Sequence, residues 1–147
     1  MYSDSKIISI AACLKRKYKT DNPFDIAENM DVVIVKQPLG NVWGLYKYVR
    51  RSKVIFINTE LEYVQQKFAC GHELGHAILH PRENCSFLKA YTLLSASRLE
   101  QEASIFAAYL LWPSEDNDFF TYEQLLTVLK VTESPAIYEA AFGKAIF

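Results

Sequence analysis

Residues 72–76 read His72-Glu73-Leu74-Gly75-His76, the pattern H-E-x-x-H. If this stretch is helical, the two histidines lie four apart on one face, with Cβ atoms about 5–6 Å from each other. Two imidazoles at that spacing can converge on one Zn²⁺, each about 2.0–2.1 Å from the metal. Glu73 lies one position past His72. There it can reach a water on the metal without binding the metal itself, which is the role of a general base. The competing reading packs both imidazoles into a core and leaves Glu73 in solvent. It is disfavoured because the chain has three histidines and two of them stand in this motif.

A catalytic zinc takes three protein ligands and keeps a fourth position open. His80 is four residues past His76, but three histidines stacked on one straight helix cannot surround one ion. It reads better as a helix-end residue that suits the helix dipole. Glu100 and Glu102 lie on the next helical segment. Its apolar stripe is Leu99, Ala103, Phe106 and Leu110. Glu102 falls beside that stripe, where a carboxylate is costly unless it is paired or bound to metal. Glu102 is therefore the preferred third ligand and Glu100 the reserve, since Ser97 and Glu100 form a capping-box pattern. Gly75 would let a neighbouring helix come close to the motif. Tyr91, Tyr109 and Tyr122 are unranked candidates for an oxyanion donor.

Several elements must hold these residues. Residues 4–18 form an amphipathic pattern that closes on Lys15-Arg16-Lys17. Asn22-Pro23 reads as an N-cap and first helical residue, opening a helix to about Met30. Asp31–Lys36, Val42–Val49 and Val54–Ile57 are strand candidates, the last two joined as a hairpin through the polar turn 50–53. Thr59 and Glu62 suggest a capping box that opens the active-site helix, which runs to about His80 before Pro81. Residues 81–96 look irregular. A helix from Ser97 to about Trp112 follows, and then two short helices at 121–130 and about 135–142. The expected class is α+β: a small, three-stranded, mainly antiparallel sheet packed with the motif helix and a following glutamate-bearing helix.

The chain has 147 residues and is 50% hydrophobic, which fits one domain with a real core, residues 1–147. A net charge of −1 offers no basic field for nucleic acid. Cys13, Cys70 and Cys85 are odd in number and form no C-x-x-C, so reduced thiols are expected. The apolar run 7–14 has its positive charges after it rather than before it, unlike a secretory signal. No run approaches the roughly 20 apolar residues of a membrane helix. A cytoplasmic protein is expected.

The same residues resemble the ImmA/IrrE family of metallopeptidases over roughly residues 20–113. Asn22-Pro23-Phe24-Asp25-Ile26-Ala27 is similar to the family's N-P-x-x-I-A. Pro38-Leu39-Gly40, Gly44-Leu45-Tyr46 and Ile57-Asn58 resemble its strand and turn region. Phe68–His80 resembles R-F-x-x-A-H-E-L-G-H-x-x-L-H. Glu102–Ala107 with Leu110–Pro113 resembles E-A-N-x-F-A-x-x-L-L-M-P. The resemblance implies a zincin-like fold, Zn²⁺ held by His72, His76 and Glu102, and Glu73 as catalytic base. It also implies a protein substrate, a helix-turn-helix transcriptional repressor whose cleavage relieves repression in a phage, mobile element or stress response. Ser104 stands where the family usually has Asn, Trp112 where it has Met, and Cys70-Gly71 replace its usual residues before the first histidine. Residues 114–147 match weakly. A helix-turn-helix reading of 124–140 lacks the clustered positive charge that DNA requires. The rival to an enzyme is a zinc-stabilised module that sequesters its partner without cutting it.

Overall fold

The computed structural model describes residues 2–82, 85–88 (backbone) and 98–112. Helix α1, Asp4–Tyr18, opens on Ser3, whose hydroxyl accepts the Lys6 N–H at 3.2 Å. It carries Asp4 in its first turn and Lys15, Arg16 and Lys17 in its last, complementing the helix dipole at both ends. Ile7 and Ala11 form its buried face. Helix α2, Pro23–Asn29, is capped by Asn22, whose Oδ1 accepts the Phe24 N–H at 3.0 Å.

Strands β1 (Val33–Gln37), β2 (Val42–Val49), β3 (Ser52–Asn58) and β4 (Cys85–Leu88) form one sheet in the order β1-β3-β2-β4. The expectation was three mainly antiparallel strands. The α+β class and the mainly antiparallel pairing hold, since β2 is antiparallel to both β3 and β4; the differences are that β1 runs parallel to β3 and that a fourth strand, β4, lies in the segment expected to be irregular. The parallel pair arises because β1 and β2 flank β3. The link 38–41 must therefore span two strand spacings, about 10 Å. Asn58 holds that link in place. Its Oδ1 accepts the N–H groups of Leu39 (3.2 Å) and Glu60 (2.9 Å), and its Nδ2 donates to the carbonyls of Gly40 (3.0 Å) and Val42 (2.9 Å). Gly40 supplies the positive φ, 61°, that the link needs. The hairpin turn is tighter than the expected 50–53. Arg50 and Arg51 alone make it, with φ of 49° and 67°, the left-handed pair that matches strand twist.

Helix α3, Tyr63–Leu79, carries the motif. It starts later than the Thr59 pattern suggested, because the Leu61 N–H turns back to the Asn58 carbonyl. Glu62 is the N-cap, and its N–H donates to Gln65 Oε1 at 3.1 Å. From Lys67 to Ala77 every residue of α3 is buried, with the sheet and α2 packed on it and helix α4, Arg98–Leu111, on another side. Lys53 Nζ donates to the Ala77 carbonyl (2.7 Å) and Tyr46 Oη to the Pro81 carbonyl (2.5 Å), fastening the end of α3 to the sheet. Phe68, Leu74, Ile105, Phe106 and Leu110 anchor the α3–α4 core. Full burial of each is worth about 1.5–3 kcal/mol. Helix α4 packs in turn against α1, so two of its faces are covered. No helix among the described residues is long and apolar enough to cross a membrane. The tail expected to form two short helices, including its helix-turn-helix reading, lies outside the described residues, as do Tyr91 and Tyr122.

Candidate metal centre

The motif is helical, and His72 and His76 share one face of α3, with ring centroids 4.9 Å apart. The approach of α4 is set by small residues. A Cβ on Gly75 would lie 3.0 Å from Ala103 Cα and 3.1 Å from the Ala103 carbonyl oxygen, and one on Gly71 would lie 3.2 Å from Ala107 Cβ. Glycines at i and i+4 on α3 thus face alanines at i and i+4 on α4. This seam brings the first turn of α4 onto the two imidazoles.

The carboxylate delivered there is Glu100. Its Oε2 lies 2.9 Å from His72 Nε2 and its Oε1 3.1 Å from His76 Nε2. Ligand atoms of His72, His76 and Glu100 all fall within 4.8 Å of one another. Glu102, the preferred ligand from the sequence, is not brought to this cluster. It lies two residues and about 200° further round α4, fully buried against His80, whose Nε2 is 2.9 Å from Glu102 Oε1. The apolar stripe was a poor guide because α4 is covered on two faces. The face turned to α3 is marked by the small residues Ala103 and Ala107, and Glu100 and Ser104 share it. Those alanines, paired with Gly71 and Gly75, were the signal that could have found Glu100.

The partners of the two rings fix which nitrogens face the centre. His72 Nδ1 lies 2.8 Å from Ser104 Oγ, so the serine at the family's usual Asn position still reaches this ring. His76 Nδ1 lies 3.1 Å from His80 Nδ1. Each motif histidine therefore turns Nε2 toward Glu100. Burial lowers the pKa of His76 against the pull of the Glu100 carboxylate. Burial alone would raise Glu100, but the hydrogen bonds and charge of the two histidines outweigh it and hold the carboxyl well below its usual range. Two ring nitrogens and a carboxylate, their ligand atoms all within 4.8 Å of one another, form a donor set that fits a small divalent cation. In a tetrahedral zinc site neighbouring ligand atoms stand about 3.3 Å apart.

Glu73 lies beside this set, fully buried, and neither carboxylate oxygen has a hydrogen-bond partner among the described residues. Burial, and then the charge of Glu100, push its pKa well above the ordinary carboxylate value. A bare β2 residue makes room for it: a Cβ on Gly44 would stand 2.9 Å from Glu73 Cγ and 3.2 Å from Oε1. Gly44 follows a register shift between β2 and β4, an irregularity common beside active sites. Its role was not readable from spacing, since nothing in the sequence reveals which strand backbone lies against the motif glutamate. The Cys70 thiol is buried behind the motif, and burial raises its pKa, which leaves it unreactive. Tyr109, one of the oxyanion candidates, has its pKa raised by burial and by Asp4 of α1 rather than by the metal-centre residues.

Comparison with known proteins identifies the family of the chain. The chain is 45% identical over 101 residues to "Uncharacterized immunity region protein 2" of Bacillus phage phi105, covering 68% of this chain and 64% of that protein. It is 32% identical over 98 residues to "Metallopeptidase ImmA" of Bacillus subtilis (strain 168), covering 65% of this chain and 57% of that one. The chain thus spans under two thirds of the length of each. A peptidase family model, described as the IrrE N-terminal-like domain, matches residues 27–132. With the H-E-x-x-H helix, the facing carboxylate and this match together, the chain belongs to the ImmA/IrrE family of metallopeptidases.

Proposed function

We propose that this chain is a zinc-dependent endopeptidase in which His72, His76 and Glu100 hold the ion and Glu73 is the general base. The observation that carries the reading is the convergence of two Nε2 atoms and one carboxylate beside a buried glutamate whose own oxygens have no partner among the described residues. Zinc, when bound, supplies Lewis acidity toward a peptide carbonyl and lowers the pKa of water. Glu73 takes a proton from the attacking water and returns it to the leaving amide nitrogen. Gly44, with no side chain, leaves open the space that the Glu73 side chain occupies. Glu100 replaces Glu102 as third ligand in this reading, with Glu102 acting on the far side of His76.

The substrate class we propose is a helix-turn-helix transcriptional repressor, cleaved in the cytoplasm. Membership of the family supports this, as does the similarity to a phage protein named for an immunity region. The test is incubation of the purified protein with the repressor encoded beside it, with and without chelator, and with Glu73→Gln. Chelator-sensitive cleavage that Glu73→Gln abolishes is expected. Derepression that survives intact in Glu73→Gln would overturn the peptidase reading in favour of a sequestering module.

A further inference from the structure

We propose that Glu102, His80 and the backbone N–H of Tyr2 form a positioning relay that fixes the ring of His76 from behind. The relay rests on the reading that His76 is a metal ligand. It is not part of the H-E-x-x-H motif, and none of its members touches the reacting atoms.

The chain of contacts starts at the amino-terminal segment. The Tyr2 N–H donates to Glu102 Oε2 at 2.6 Å, and Arg98 Nη2 donates to the Tyr2 carbonyl at 2.8 Å, so Tyr2 is clamped at both backbone atoms by α4. Arg98 Nε also lies 3.5 Å from Glu102 Oε2. The other carboxylate oxygen, Oε1, is 2.9 Å from His80 Nε2 and accepts its proton. In a neutral His80 that leaves Nδ1 as an acceptor, and the group 3.1 Å away is His76 Nδ1. With a cation seated between His72, His76 and Glu100, His76 Nδ1 is then the protonated nitrogen and its Nε2 lone pair is free for the ion. A carboxylate, an imidazole and a backbone amide thereby select the tautomer of His76 that can bind a cation through Nε2. The edge of the Tyr2 ring, 6.3 Å from the His80 ring, packs against the same imidazole. Burial supports the assignment: Glu102 is fully buried and His80 is 6% exposed, so neither partner competes with water. Buried carboxylates are retained where every oxygen is used, and both of these are.

The test is zinc affinity, by competition with a chromophoric chelator, together with the visible absorption of the Co²⁺-loaded protein. Groups that orient a ligand from behind are worth about 10–100-fold in metal affinity. Glu102→Ala and His80→Phe should each weaken zinc by that factor, and the double variant should weaken it little further. Glu102→Gln keeps an acceptor for the His80 N–H and should recover part of the loss. The Co²⁺ spectra of all four should match wild type, because no ligand has changed. Tyr2→Pro deletes the backbone donor along with a part-buried ring at the edge of the core and should weaken zinc several-fold, with Tyr2→Ala as the control for the lost ring. This variant keeps the test open if Glu102→Ala fails to fold. Unchanged affinity in both Tyr2→Pro and Glu102→Gln would overturn the relay. So would a Co²⁺ spectrum altered in Glu102→Gln as it is in Glu100→Gln, which would make Glu102 a ligand. A wild-type chain that binds no zinc would instead overturn the metal reading on which the relay stands.

Discussion

The contact of Gly75 with α4 can be tested by adding one methyl group. In Gly75→Ala the new Cβ would sit 3.0 Å from Ala103 Cα, 3.1 Å from its carbonyl oxygen and 3.2 Å from Phe106 Cδ1. Ordinary carbon contacts need about 3.5–4.0 Å, so α4 must retreat by about 0.5 Å. Alanine gains about 1 kcal/mol of helix propensity over glycine, while overpacking a tight interface costs about 1–3 kcal/mol. The metal-free protein should therefore lose between about 0 and 2 kcal/mol. Glu100 lies three residues before Ala103 and must move with it. Metal–ligand distances tolerate about 0.2 Å, so zinc affinity should fall about tenfold or more. Gly71→Ala is the internal comparison, because its new methyl meets the Ala107 methyl at 3.2 Å and otherwise only ordinary contacts. Ala107→Gly should relieve that clash and show a coupling of about 1 kcal/mol in a double-mutant cycle. Ala103→Gly cannot rescue Gly75→Ala, since the obstructing atoms there are backbone. Urea denaturation and chelator competition measure the two quantities. A Gly75→Ala protein stabilised by the full propensity gain, with zinc affinity unchanged, would refute the idea that this seam sets the position of Glu100.

Three further outcomes are expected. Glu73→Gln should lower cleavage by about 10²–10⁴-fold while leaving zinc affinity unchanged, and should not lower the thermal midpoint, because it removes a buried acid that has no partner among the described residues; activity assays and calorimetry check this. Zinc at 1,000 times its dissociation constant should stabilise the wild-type fold by about 4 kcal/mol, and chelator should reverse this in wild type but have no effect in a His72→Ala, Glu100→Ala double variant. Asn58→Ala should cost about 2–4 kcal/mol by urea denaturation, because the Leu39 N–H and the Gly40 and Val42 carbonyls around the β1–β2 link, and the Glu60 N–H after β3, lose their partner together.

Much of this molecule can be read from local signals. Asn22-Pro23 starts α2 where a capping residue and a fixed φ predict it, and β2 spans the expected Val42–Val49. The motif helix and its two imidazoles follow from a spacing of four on one helix. The reading weakens where a position is decided between elements. Thr59 carries a capping pattern, yet the chain is still turning around Asn58 at that point, and Glu62 takes the cap. Whether β1 pairs with β2 or β3 is decided by the length of the 38–41 link and by Asn58, neither of which has a hydrophobic period. The choice between Glu100 and Glu102 depends on which side of α4 meets α3. An apolar stripe cannot settle that for a helix covered on two sides, whereas the alanines facing two glycines can.

The placement of β3 between β1 and β2 also constrains how the sheet is assembled. Val33 pairs with Val54, 21 positions later, whereas the β2–β3 ribbon closes through only two residues. Ribbon closure is the cheap local event, and the parallel strand joins only after a longer loop has been closed. Until then β1 has no neighbour to satisfy its amide groups, and the pocket for Asn58 does not exist. One asparagine thus serves as the latch that registers arrival of the distant strand, and a lesion there should slow the late step of folding more than the early one.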